Sequence, residues 1–154
     1  MTGSFEQRIY DAVEKAATAI KADFAVMYQS PNAAELYDMV SARVQAGIPC
    51  VYCRIPGMPV DGDSTDGQLV SGVIEIELIL AVSALSEFDQ HRGELEKLKF
   101  AFQKALSKQT VDINYKRPFR CTNFGRRLFK DNKLDAASMN YEVLFTVDFS
   151  DYAD

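Results

Sequence analysis

The chain has 154 residues, is 47% hydrophobic and 25% charged, and carries a net charge of −5. That length suits one domain and that apolar fraction a packed core, which argues against disorder and against two full domains. A membrane-spanning helix needs about 18 consecutive apolar residues, and the longest apolar stretch, Leu69 to Leu85, is interrupted by Ser71, Gly72, Glu75, Glu77 and Ser83.

Ser4 and Gln7 have the spacing of a capping box. Phe5, Ile9, Val13, Ala16 and Ile20 then recur at helical spacing and predict a helix near Phe5 to Ala22. The segment is amphipathic and carries both signs of charge, unlike a secretory signal, so the chain is expected to stay in a cytoplasm. Phe24 to Tyr28 predicts a short strand. Ser30 and Pro31 suit the start of a second helix, with Leu36, Tyr37, Val40 and Val44 on one face and Gly47 as its stop.

Ile48 to Arg54 predicts a strand, and Pro56 to Gln68 a loop rich in Gly, Pro and Asp. Leu69 to Val82 follows as a long strand. Val70, Ile74, Ile76, Leu78, Leu80 and Val82 fall on its core face; Ser71, Val73, Glu75, Glu77 and Ile79 fall on the other. At about 3.4 Å per residue such a strand exceeds the needs of a compact domain, so part of this hairpin is expected to project as an arm. Asp89 is placed as the cap of a third helix, with Leu95, Leu98, Phe102, Ala105 and Leu106 facing the core. Tyr141 to Phe149 alternates as a half-buried antiparallel strand. The fold class expected is α+β: a mainly antiparallel sheet with a long β-hairpin, flanked by amphipathic helices, all in one domain.

Candidate chemistry is sparse. Cys50 and Cys53 form a C-x-x-C inside a predicted strand, where residues three apart point to opposite faces. Neither a disulfide nor a shared metal fits that parity, and with Cys121 they are expected to be free thiols. His91, the single histidine, has no nucleophile pattern around it. Asp61, Asp63 and Asp66 miss the calcium-loop pattern, because Thr65, Asp66 and Gly72 stand where an acid or amide, a glycine and a glutamate belong. Glu75 and Glu77 share a strand face about 7 Å apart, a spacing open to acid–base work but equally to a solvated face. No catalytic, metal-binding or cofactor-binding residue is expected.

Charge distribution carries more weight. From Lys116 to Lys133 seven basic residues meet one acid, a local charge of +6, so the remainder of the chain carries −11. Phe119, Phe124 and Phe129 interleave this stretch. Stacking on nucleic acid uses such a pattern, but so does a ribbon with one core face, and the acidic remainder favours docking on protein. The candidate interface is Arg120, Arg126, Arg127 and Lys130 on the basic side, with Asp61, Asp63 and Asp66 on the acidic side.

The order of elements is helices, I-P-C-V-Y-C-R, a Gly- and Asp-rich loop, G-V-I-E-I-E-L-I-L-A-V-S-A, an amphipathic helix, a basic ribbon and Y-E-V-L-F-T-V-D-F. This resembles the tail terminator family of Mu-like tailed phages and prophages and, more loosely, lambda-type tail terminators and other small tail-completion proteins. The resemblance runs over Leu36 to Phe149 and departs from the family at the C-x-x-C and the acidic loop. It implies a non-enzymatic structural protein of the virion tail, assembled in the host cytoplasm as a homo-oligomeric ring, generally hexameric. Such a ring caps the tail tube, stops its polymerisation and joins head or sheath. Its partners are then itself and tail-tube, sheath or head-joining proteins, with no membrane, no cofactor and no specific nucleic acid, although DNA passes through such a ring. Alternatives are a neck or tail-tube protein of similar fold and, in another class, a small hydrolase using Glu75 and Glu77.

Overall fold

Alternation along Leu69 to Ser83 creates a strand with one continuously apolar face, and such a strand needs a partner of equal length and a helical cover. The computed structural model supplies both, and describes residues 5–44, 48–56, 63–64, 69–83, 88–111, 115–129 and 134–148. In chain order the elements are α1 (Phe5–Ala19), β1 (Asp23–Val26), α2 (Ala33–Val44), β2 (Cys50–Arg54), β3 (Asp63–Ser64), β4 (Leu69–Ser83), α3 (Phe88–Ser107), β5 (Phe119–Phe129) and β6 (Leu134–Asp148). The strands form one sheet in the order β1-β2-β4-β6-β5, with β3 pairing beside β4. Only the β1–β2 pair is parallel. This is the expected α+β fold.

The partner of β4 differs from expectation. β2 covers only Glu77 to Ala81 of it and β3 only Val70 and Ser71. β6 instead pairs with β4 in unbroken register from Leu69↔Asp148 to Ser83↔Leu134. The long strand is therefore a central strand, and the expected arm built from its pairing with the preceding strand does not form. The long hairpin is β5–β6. β6 also starts seven residues before Tyr141, the predicted start, because its first half, L-D-A-A-S-M-N, is poor in β-branched and aromatic residues. Ala136, Ala137 and Met139 are nevertheless buried there, so packing overrides propensity.

Two apolar clusters lie on opposite sides of this sheet. On one, Ile9, Val13 and Ala16 of α1 and Leu95, Phe102 and Leu106 of α3 cover Ile74, Ile76, Leu78 and Leu80 of β4 and Met139, Tyr141, Val143 and Phe145 of β6. Phe5 meets Phe145 with ring centroids 5.1 Å apart. On the other, Leu36 of α2 packs with Met27, Cys50, Tyr52, Ile79, Ala81 and Ala136, and the Tyr52 hydroxyl donates to the Met39 carbonyl at 2.8 Å. Of the remaining expected core residues, Leu98 is half-buried, and the side chain of Val40 lies outside the described residues.

Helix ends are set by local hydrogen bonds. α1 stops at Ala19 rather than near Ala22: Lys21 N–H donates to Thr18, Ala22 N–H donates to Ala17, and Lys21 takes a left-handed φ of 59°. This is the Schellman arrangement with lysine where glycine is usual. α2 begins after Asn32 rather than at Ser30–Pro31. The Asn32 side chain accepts from Glu35 N–H at 2.9 Å and donates to the Glu35 carboxylate at 2.6 Å, a reciprocal cap that outcompetes Ser30. α3 opens at Phe88, which places Asp89 inside the first turn rather than before it. The Ser4 cap lies outside the described residues.

Two variants test these assignments by urea denaturation. Phe102→Ala, at a fully buried position, is expected to destabilise by about 3 to 5 kcal/mol. Lys21→Gly is expected to stabilise by about 1 kcal/mol, by relieving the left-handed backbone.

Candidate functional site

β5 has β6 on one side and no strand on the other among the described residues, so its outer N–H and C=O groups form an open sheet edge. It is also the basic ribbon. The expected alternation of Phe and Arg along it is interrupted by a register shift between Cys121 and Asn123. Thr122 is the inserted residue. Its hydroxyl donates to the Asn140 carbonyl at 3.2 Å, and the Asn123 side chain accepts from Phe124 N–H at 2.9 Å. Side chains thus take over part of the bonding that a bulge disrupts.

The bulge redistributes the ribbon. Arg120 stands opposite Glu142, Phe124 opposite Met139, Arg126 opposite Ala137 and Arg127 opposite Ala136. Arg126 and Arg127 therefore occupy register positions of opposite parity, and a single basic face of the kind expected from sequence does not result. Arg120 is exposed and engages Glu142 through both Nε, at 3.1 Å, and Nη2. Phe124 is 43% exposed, and the Lys99 ammonium of α3 lies 3.5 Å from its ring centroid and 5.1 Å from that of Phe100, itself 55% exposed. This aromatic–lysine cluster was not singled out from sequence, because it joins residues of α3 and β5 that only the fold brings together.

Beyond α2, the second face of the sheet carries two polar rows. In one, Arg54 donates to Glu77 Oε2 through Nε at 3.1 Å and Nη2 at 2.9 Å, and Ser30 donates to Glu77 Oε1 at 3.0 Å. Both oxygens of this mostly buried carboxylate are committed, a structural role that a charged group needs when it leaves water. In the next row Glu75 stands opposite Glu142, a like-charge pair across strands that Arg120 offsets. Glu75 is exposed, and Glu77 is tied to β2. The two sequence-matched carboxylates thus have unequal environments, with no third group converging on both among the described residues. A shallow depression of about 350 Å³ on α1, lined by Asp11, Glu14, Lys15 and Thr18, is open to solvent.

Of the acidic candidates, Asp63 lies in β3 opposite Ser71, while Asp61 and Asp66 lie outside the described residues, as does Lys130. The described residues contain no group of three or more His, Cys, Asp or Glu placed to hold a metal. No described helix is long and apolar enough to cross a membrane. Cys50 and Cys53 belong to opposite clusters of the sheet, as strand parity requires, and all three cysteines are free thiols. Burial pushes the Cys53 thiol up to about 12 and the Tyr141 phenol up to about 12. No protein-family model matches the chain, and a search of the curated proteins returns no match.

Two outcomes follow for the thiols. A disulfide reagent at about pH 8 is expected to titrate one thiol, the exposed Cys121, in the folded protein and the remaining two only after denaturation; fast reaction of Cys50 or Cys53 would contradict the packing. The Cys53 thiol ionises near 9.0 when unfolded and near 12 when folded. Between those values the folded state holds the extra proton, so stability falls as pH rises through that window. The urea midpoint is expected to drop accordingly, with a shallower slope in Cys53→Ala.

Proposed function

We propose that this chain is a structural protein of a phage tail, a terminator that caps the tail tube as a homo-oligomeric ring and offers a surface for head or sheath. The observation that carries this reading is the open, cationic edge of a sheet whose core is closed within one chain. β5 ends the sheet, and residues 116–129 contain five basic residues and no acid. An edge of this length ordinarily needs protection from pairing, and an assembly that seats a neighbour on it turns that liability into a joint. The resemblance in the order of elements supports the same reading.

Ring contacts of this type are head-to-tail: each subunit offers two different surfaces, and closure follows when the rotation permits it. Arg120, Arg126, Arg127 and Lys130 supply the basic surface, and Asp61, Asp63 and Asp66 are candidates on an acidic counterpart. Exposed ion pairs contribute little affinity alone. Their role is to select the partner and fix the register, while apolar contacts supply most of the binding.

The test is light scattering and negative-stain microscopy of the purified chain, with the double reversal R126E and R127E across a salt series. A ring is expected for the parent, with assembly that weakens as salt rises; the double reversal is expected to shift it towards monomer. In a tail-assembly assay, loss of the ring should release tube length from control. Unchanged oligomerisation and unchanged tail length in the double reversal would remove this ribbon from the mechanism.

A further inference from the structure

The sheet has two edges, and they differ in both charge and exposed apolar groups. At the β5 edge the five cations of residues 116–129 accompany Phe124 and, from α3, Phe100. At the far edge lies β1, followed by α2. Residues 23–38 contain three acids, Asp23, Glu35 and Asp38, and no base; all three acids are exposed. Directly after β1 comes Tyr28, 92% exposed and followed by exposed Gln29 and Ser30. A tyrosine left almost wholly in water beside a sheet edge is an aromatic anchor without a socket, and buried aromatics dominate the energetics of protein contacts.

We infer that the β5 edge of one copy seats the β1 edge of a second copy of this chain, with Tyr28 packing against the Phe124–Lys99–Phe100 cluster. The inference rests on the ring reading and names its joint. Charge selects the pairing. Two β5 edges placed together would oppose five cations with five, and two β1 edges would oppose three acids with three. Only the crossed arrangement is complementary. The Lys99 ammonium, 3.5 Å from the Phe124 centroid, keeps a cation at the aromatic site where the neighbour's acids arrive. The bulge at Thr122 works in the same direction, because a twisted, charged edge resists antiparallel pairing with its own copy.

Because β1 and β5 end opposite sides of the same sheet, each contact leaves one complementary edge free on either partner. Such a joint propagates and closes into a ring or continues as a filament, but does not stop at a two-fold dimer.

The test uses two surface variants of the full chain, Phe124→Glu and Tyr28→Arg, each checked for the parent's circular dichroism and melting curve. Each is expected to remain monomeric at concentrations where the parent assembles, since each has lost one edge. Mixed in equal amounts they are expected to recover assembly, because the intact β1 edge of F124E meets the intact β5 edge of Y28R. If Y28R assembles alone while F124E does not, β5 pairs with something other than β1 and the inference is overturned. If both variants form rings like the parent, the ring reading stands and this joint is wrong. A parent chain that stays monomeric at every concentration overturns both.

Discussion

Register between β4 and β6 is the constraint on which the rest of the molecule depends. Fifteen consecutive pairs, from Leu69↔Asp148 to Ser83↔Leu134, fix which residues of both strands share a face. Because side chains alternate, a slip of one residue would turn the row Ile74, Ile76, Leu78 and Leu80 away from α1 and α3. The pairing also matches size across the strands, with Leu80 opposite Ala137 and Gly72 opposite Phe145, which leaves room for two helices to lie side by side on that face. β2 and β5 are then placed by pairing onto a frame that already exists.

Once the frame is set, the two faces receive unequal cover. α1 and α3 enclose one, while α2 covers only part of the other, over Cys50, Tyr52, Ile79 and Ala81. Past that point the sheet is polar, and its charges are arranged as bonded rows, Arg54 with Glu77 and Arg120 with Glu142. The rows are built for a solvated sheet surface. The apolar groups left exposed, Phe100, Phe124, Tyr28 and Ile48, belong instead to helix surface, sheet edge and strand ends, the parts a neighbour reaches first.

Much of this was legible in the residues. The period-two pattern of β4 and of the second half of β6, the helical stripes of α1 and α3, and the opposed placement of Cys50 and Cys53 follow from alternation and the 3.6-residue repeat alone. What failed did so for physical reasons. The first half of β6 reads as coil because Ala and Ser become strand residues only where both faces are tightly covered. Lys21 gives no hint of a left-handed turn, since the signal there is ordinarily glycine. The bulge at Thr122 cannot be seen in a sequence that has a polar Thr-Asn pair in many coils, and missing it merged Arg126 and Arg127 into one face. Tyr28 passed unnoticed because an isolated aromatic is informative only when its exposure is known.

Together these features describe a chain whose core is complete and whose sheet edges are not. The central claim, that the edges and not the faces carry assembly, is tested most directly by amide hydrogen exchange followed across a concentration series. The account predicts that amides of β4 and β6 are protected at every concentration, because they pair within the chain. Those of β5 and β1 that point outward should gain protection only as assembly sets in. New protection confined to the polar face around Glu75 and Glu142, with β1 and β5 unchanged, would contradict it.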